Sequence, residues 1–554
     1  MAHTPYRTHE VSNQPPPLED YNVFAADAVL VEGLSRWGGG WAEKDVSALG
    51  EDCGAAATIL RGRQANDFDP ALKLFDRFGH RIDEVEFHPA WHEIMASAVK
   101  HRVHSLPWVE KRAGAHVARA AGYICRHQVD EGTSCPITMT FAAPPALATD
   151  ARIMAEWGPR LMSDRYDARG LPAAKKTGAL MGMGMTEKQG GSDVRSNTTK
   201  ATPIGKGGPG RPYEIIGHKW FFSAPMCDAF LILAYAPKGL SCFLLPRWTP
   251  DGERNAIHIQ RLKGKLGNWS NASSEVEFHG AWAELLGEEG RGVATIIEMV
   301  RHTRLDCCLG SAATLRQAIA QATHHCSHRV AFQRRLVDQP LMQNVLADIA
   351  LESEAASTLA LWLAHLFDRA PKEPAAQRLS RLMTAVGKYW ICKRAIHGVA
   401  EGLECIGGNG YVEEGPMARL YRDIPLNSIW EGSGNVQCLD LLRALSKDPE
   451  TLAVFHAELA EAQGRDGRFD AFVARLKDEF KDFGDLEARS RILVERMGLA
   501  MQAALLLRHA PGFVAEAFVA TRLAGGRGME FGTMVSGLKV SALIERARPK
   551  LAAG

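Results

Sequence analysis

The spacing of apolar residues changes twice along this 554-residue chain, and those changes constrain its architecture more than any single motif. Between Pro89 and Phe141 apolar residues recur every three or four positions, as in WHEIMASAVKHRVHSL, which is the repeat of an amphipathic helix. After Gly178 come short β-branched or aromatic runs: YEIIGHKWFFS, DAFLILAYA, LSCFLLPR, AIHIQRL and SSEVEFHG. GKGGPGRP, PKG and PDGERN separate them, and such turns are too short for helical crossovers, so an antiparallel β domain is expected. Helical spacing returns at Gly292 and continues to the end, with wide apolar faces in LMQNVLADIALESEAASTLALWLAHLFDR and RLMTAVGKYWICKRAIHGVAEGLECI that call for a bundle. The chain therefore reads as α+β. An extended arm at 1–25 holds Pro15, Pro16 and Pro17, which forbid a helix. A helical domain at 26–178, the β domain at 179–288, a helical bundle at 289–445 and an additional helical domain at 446–554 follow. Clefts where a β domain meets two helical ones are the usual place for a large cofactor.

Bulk charge names no partner. The formal net charge is +1, so neither nucleic acid nor an acidic membrane is called for. No apolar run reaches the ~18 residues of a membrane span, and the proline-rich N-terminus has no signal-peptide core. The 11 cysteines form no CxxC pair, and adjacent Cys307 and Cys308 cannot share one metal, so a reduced, cytoplasmic protein without structural metal is expected.

Four segments carry chemistry. GMGMTEKQGGSDV (182–194) offers glycines and a hydroxyl, suited to a flat ring or a phosphate, or to a plain turn. HKWFFSAP (218–225) could wall a flavin pocket or fill a core. IGGNGYVEE (406–414) interrupts a helix with glycines, as an anion site or a C-cap would. NSIWEGSGNVQCLDLLRAL (427–445) sets Glu431 beside Trp430 before a helix whose N-cap Ser433 or Asn435 would suit. A carboxylate in an apolar cleft has its charged form disfavoured, which raises its basicity.

In this order, with KLGNWSNASSEVEF, LLGEEGRG, LYRDIPLNSIWEGSGN, CPITMTF and the SNQPPPL arm, these segments resemble the acyl-CoA dehydrogenase family over essentially the whole chain, and most closely its AidB-type branch. The resemblance implies that fold, FAD between the β domain and the bundle, and a homotetramer. It implies flavin contacts from Met185, Thr186, Gly191, Ser192, Phe221, Phe222, Ser223, Trp430, Gly432, Ser433 and Asn435. Arg329, Phe332, Gly407 and Gly408 match segments that hold the ADP half of a neighbouring subunit's FAD. Ser192 and Arg304 would meet an acyl-CoA thioester, and Glu431 would be the base that removes its α proton. Some members place the base beside Arg304, where this chain has Thr303, which cannot serve. Departures are Gln333, Arg335, Pro340 and Trp269, the last replacing a frequent Arg.

The resemblance supports two functions. One is dehydrogenation of a short or branched acyl-CoA, with an electron-transfer flavoprotein as acceptor. The other is the branch's association with duplex DNA in the response to alkylation, through C-terminal helices in which Arg443, Arg522 and Arg527 are the candidate contacts. A basic tail is also what a solvated helix face looks like.

Overall fold

The computed structural model describes residues 8–482 and 484–551. Its first domain is helical, and local chemistry sets the helix starts. Asp27 caps Ala28–Arg36 by accepting from the Val29 and Leu30 amides, and Asp150 caps Ala151–Leu161 in the same way. Pro89 opens Pro89–Lys100, where its missing N–H is no loss. Ser134–Leu147, which carries CPITMTF, is buried on nearly every side, as a helix apolar all round must be. One element departs from the helical expectation: β1 (Ala71–Phe75) and β2 (Arg81–Glu86) form an antiparallel hairpin that reaches across to the β domain.

The β domain comprises β3 (Met181–Gly184), β4 (Lys200–Pro203), β5 (Pro212–Ser223), β6 (Ala229–Ala236), β7 (Gly239–Pro246), β8 (Ile257–Leu262) and β9 (Ser273–Leu286). Pairings of β6 with β4, β4 with β5, β5 with β9, β9 with β7 and β7 with β6 close the sheet on itself. It is antiparallel except where β3 and β4 run parallel to β6. The glycines of β3 serve the core: a Cβ at Gly182 would lie 2.3 Å from Phe230, and one at Gly184 2.5 Å from Phe222.

Three long helices, Gly292–His328, Pro340–Arg369 and Pro374–Ile406, form the bundle. The first has 37 residues and runs about 55 Å. Gly407 ends the third at φ 73°, a left-handed conformation that glycine takes without strain. Helices from Glu450–Ala460 to Val540–Ala547 complete the chain and dock on the outside of the bundle through buried ions. Arg522 reaches Asp348 at 2.6 Å and Glu352 at 3.1 Å, and Arg394 holds the same Glu352.

That docking overturns two expected DNA contacts. Arg522 is 4% exposed, and Arg527 lies beside Asp348 with its guanidinium over the Phe531 ring. Both charges are answered inside the protein and cannot meet a phosphate backbone in this conformation. Arg443 stands on the surface at 64% exposure, paired with Asp440 at 3.1 Å. No helix among the described residues is long and apolar enough to cross a membrane, no cluster of metal-ligating side chains occurs among them, and all eleven cysteines are free and buried.

Candidate active site

Glu431 sits in the turn between the short helix Ile424–Ser428 and the helix Gly434–Lys447, with its backbone at φ 59°. A residue with a Cβ is rarely held there, and strain of this kind marks functional turns. Three buried side chains fix the turn by its carbonyl oxygens. Lys388 Nζ donates to Trp430 O at 2.7 Å and to Gly432 O. Arg304 Nε donates to Glu431 O at 2.9 Å, and Gln437 Nε2 donates to Gly432 O at 2.7 Å. The Glu431 N–H has no partner among the described residues and is free to meet a ligand oxygen.

The carboxyl has one donor of its own: Thr303 Oγ1 to Oε2, at 2.7 Å. Oε1 has no hydrogen-bond partner among the described residues. Burial pushes the Glu431 carboxyl above the usual carboxylate range, while the Thr303 hydroxyl, Arg304 and Lys388 pull it back part of the way. Thr303, which cannot be a base, is the group that holds the Glu431 carboxyl. Arg304 is not placed as a substrate contact: its Nη1 is bound to Asp440 at 2.6 Å and its Nε to the Glu431 carbonyl. Lys388 and Thr303 were not legible as site residues, since each lies on a helix remote in sequence from the WEGSGN turn, and Gln437, on the helix that follows it, carries no signal of its own.

The opposite wall comes from β5. Trp220 and Phe221 share one place opposite Glu275 of β9, a bulge that re-aims side chains at the strand's end. Phe221 stays 52% exposed on the outer face, and Lys263 stacks over the Trp220 and Phe221 rings. Phe222 points the other way, fully buried against Phe230 with ring centroids 4.3 Å apart. Its ring is core, so the expected flavin contact by that side chain is withdrawn. Ser223 returns to the outer side beside the Cys135 thiol, which Asn271 also meets and which burial pushes up to about 12. That thiol lies in the field of Glu431, and so ties CPITMTF to the site.

Met185, Thr186, Gly191 and Ser192 form the loop beneath. Gly191 is required there, because a Cβ would lie 2.8 Å from Thr186 Oγ1. A fully buried ion pair, Glu187 with Lys219 at 2.8 Å, bolts this loop to β5. Lys219 and the Thr198 amide hold the Glu187 carboxyl down at about 2. Gly190, Gly191 and Ser192 stay accessible.

Ser433 is the N-cap residue of Gly434–Lys447, yet its side chain makes no cap bond. Asn435 is exposed and accepts from Arg491 at 3.3 Å. A free Thr186 hydroxyl, the outward Ser223, an exposed aromatic and an uncapped helix start are donors and surfaces that a flavin and its phosphates fit. Arg329 and Phe332 stand apart. Arg329 Nη1 donates to the arm's Asn13 carbonyl, and Phe332 is 92% exposed at φ 51°. Gly407 and Gly408 face open space.

Trp269 lies flat under the Arg422 guanidinium, 4.1 Å from its ring centre, and Arg422 pairs with Glu413 of the 406–414 segment.

Three family models match in succession. Residues 13–168 match the adaptive response protein AidB N-terminal domain, 182–281 the acyl-CoA dehydrogenase middle domain, and 290–446 the acyl-CoA dehydrogenase C-terminal domain. The chain is 45% identical to AidB of Escherichia coli (strain K12), covering 93% of this chain and 94% of that one. It is 30% identical to acyl-CoA dehydrogenase family member 11 of Caenorhabditis elegans over 83% of this chain and 75% of that one. The crystal structure of Caenorhabditis elegans ACDH-11 in complex with C11-CoA superposes with a TM-score of 0.84 at 25% identity, covering 99% of this chain and 94% of that one. The chain belongs to the acyl-CoA dehydrogenase family, in its AidB-type branch, with FAD as its cofactor.

Proposed function

We propose that the chain dehydrogenates a short or branched acyl-CoA thioester between its α and β carbons, with Glu431 as the base. The observation that carries this reading is the Glu431 carboxyl itself, buried, raised in basicity and fixed by Thr303 with Oε1 left without a partner. Bound FAD supplies the hydride acceptor for the β carbon. The α proton goes to Glu431 Oε1, while Thr303 keeps Oε2 in place. The Glu431 N–H is free to donate to the thioester oxygen as negative charge develops there. Lys388, Arg304 and Gln437 hold the carbonyls of residues 430–432 and so keep that N–H directed away from the bundle. The thioester class is supported by the ACDH-11 structure, which holds C11-CoA.

Further parts of the reading are a homotetramer and an electron-transfer flavoprotein as acceptor. Phe332 supports the first: a phenylalanine almost wholly exposed, in a left-handed backbone, has nothing in its own chain to pack on. For duplex DNA, one of three candidate arginines, Arg443, remains on the surface.

The test is an anaerobic visible spectrum of the flavoprotein during titration with short, branched and medium-chain acyl-CoAs, beside Glu431→Gln. Bleaching by a thioester in the wild type and its loss in the variant is expected. A bound flavin that no thioester reduces would overturn the dehydrogenase reading.

A further inference from the structure

A cavity of about 250 Å³ lies apart from Glu431, and Glu431 is not among its lining residues. It lies where the β1–β2 hairpin meets β8 and the loop before it. Its lining shares only Pro225 with the segments that carry the candidate active site. Three arginines, Arg81, Arg247 and Arg254, line it together with one carboxylate, Asp83, and Phe230, Ile257 and Pro225 form an apolar wall.

The charges there do not cancel. Arg81 pairs with Asp83 at 2.7 Å, and Arg254 pairs with Glu84. Arg247 donates only to backbone carbonyls, Met226 O at 3.2 Å and Asp83 O at 3.3 Å, and has no carboxylate within ion-pair distance among the described residues. Burial and the neighbouring Arg254 weaken its hold on its proton, while Asp228 and Glu84 oppose them from a distance, each already paired with another cation, Lys176 and Arg254. Each guanidinium also keeps an N–H group without a partner: Nη1 of Arg81, Nε of Arg247 and Nε of Arg254.

A half-buried guanidinium with no carboxylate in ion-pair contact is stabilised by an anion that reaches it. Planar N–H forks match the oxygens of phosphate. The volume sits just below the roughly 300–1,000 Å³ of pockets for drug-sized ligands, which rules out FAD or an acyl-CoA and leaves room for a small anion. We propose that this cleft is a second binding site, for a phosphate dianion, free or on a small molecule, held by Arg81, Arg247 and Arg254 between the N-terminal hairpin and the β domain. Because Arg247 also holds the carbonyl of Met226, three residues after Ser223, the occupied cleft would brace the turn that closes the candidate flavin wall.

The test is isothermal titration calorimetry of the FAD-loaded protein with inorganic phosphate, in chloride buffer of matched ionic strength, and in parallel with 5′-AMP. Saturable binding of one phosphate per chain is expected. Arg247→Gln should weaken it about tenfold or more, the loss of one charge-assisted hydrogen bond. Ala256→Phe, which fills the cleft and removes no arginine, should abolish it, and decides the matter if Arg247→Gln does not fold. Tighter binding of phosphate than of AMP identifies the free anion, and the reverse identifies a phosphate-bearing small molecule. Heats no larger than those of the chloride control, or undiminished affinity in Ala256→Phe, overturn the proposal.

Discussion

Glu431, half-buried, and Glu352, fully buried, are carboxylates within reach of two cations, and the protein treats them in opposite ways. Glu352 lies between Arg394 and Arg522, each with a guanidinium nitrogen at 3.1 Å, and is held down at about 2. Glu431 has Arg304 and Lys388 nearby, but both are aimed at backbone carbonyls of its turn. Its carboxyl receives one neutral hydroxyl, and burial raises it. The direction in which neighbouring cations point separates a carboxylate that locks two helices from one that can accept a proton.

The largest expected effect breaks the catalytic half of this comparison. Glu431→Gln should slow thioester-driven flavin reduction by about 10²–10⁴-fold, the usual share of a general base. It should not destabilise the fold. A carboxyl raised in the folded state binds its proton more tightly there than in the unfolded chain, so its contribution to stability falls as pH rises past the ordinary carboxylate range. The variant should therefore melt no lower than the wild type at pH 8, followed by circular dichroism. A clear drop in Tm with activity retained would reverse the assignment of the two glutamates.

Next comes the lock. Arg522→Met leaves Asp348 and Glu352 short of a buried partner, and loss of one member of such a network costs about 3–5 kcal/mol. Urea unfolding should show a lower midpoint, with the helices after residue 446 released first. Because Glu352 is depressed, its stabilisation is fully present above about pH 4.5 and is lost as pH falls toward 2. The wild type should lose its advantage over the variant across that window. An Arg522→Met protein as stable as the wild type would show the network to be neutral.

Much of this contrast escaped the sequence for a physical reason. Periodicity reports which face of an element is buried, so the helix–sheet–helix order and β5 to β9 were legible, while β3 and β4, of four residues each, were not. The β1–β2 hairpin was not, because its strands are short and mostly half-exposed, with weak alternation. WEGSGN announced Glu431, but Thr303, Arg304 and Lys388 reach its turn from helices up to 128 residues away. Phe221 and Phe222 look equivalent in sequence, and the bulge at Trp220–Phe221 decides which one faces out. Arg522 and Arg527 read as a basic tail because their acidic partners, Asp348 and Glu352, lie some 170 residues earlier.

A smaller effect sharpens the role of the hydroxyl. Thr303→Val removes the donor that favours ionised Glu431, so the carboxyl should rise further. Such a bond to a charged group is worth about 1.5–3 kcal/mol, or about one to two pH units. The acidic limb of the rate profile should move up by that amount, and activity should recover at high pH, as it cannot in Glu431→Gln. A uniform loss at every pH would make Thr303 a packing residue only.

The smallest effect tests whether exposure alone explains why Arg443 differs from its neighbour. Asp440 is shared: Arg304 reaches it from the buried side at 2.6 Å and Arg443 from solvent at 3.1 Å. Solvent screens the outer pair, so Arg443→Gln should change stability by no more than about 0.5 kcal/mol. Asp440 keeps Arg304, and through it the Glu431 carbonyl keeps its donor, so the rate and its pH profile should stay as in the wild type. Arg304→Gln removes the inner half, and should lower the flavin-reduction rate by freeing the Glu431 turn to leave its strained conformation. Equal effects from the two substitutions would mean that Asp440 acts as one surface charge, and that the turn is held by Lys388 and Gln437 without help from Arg304.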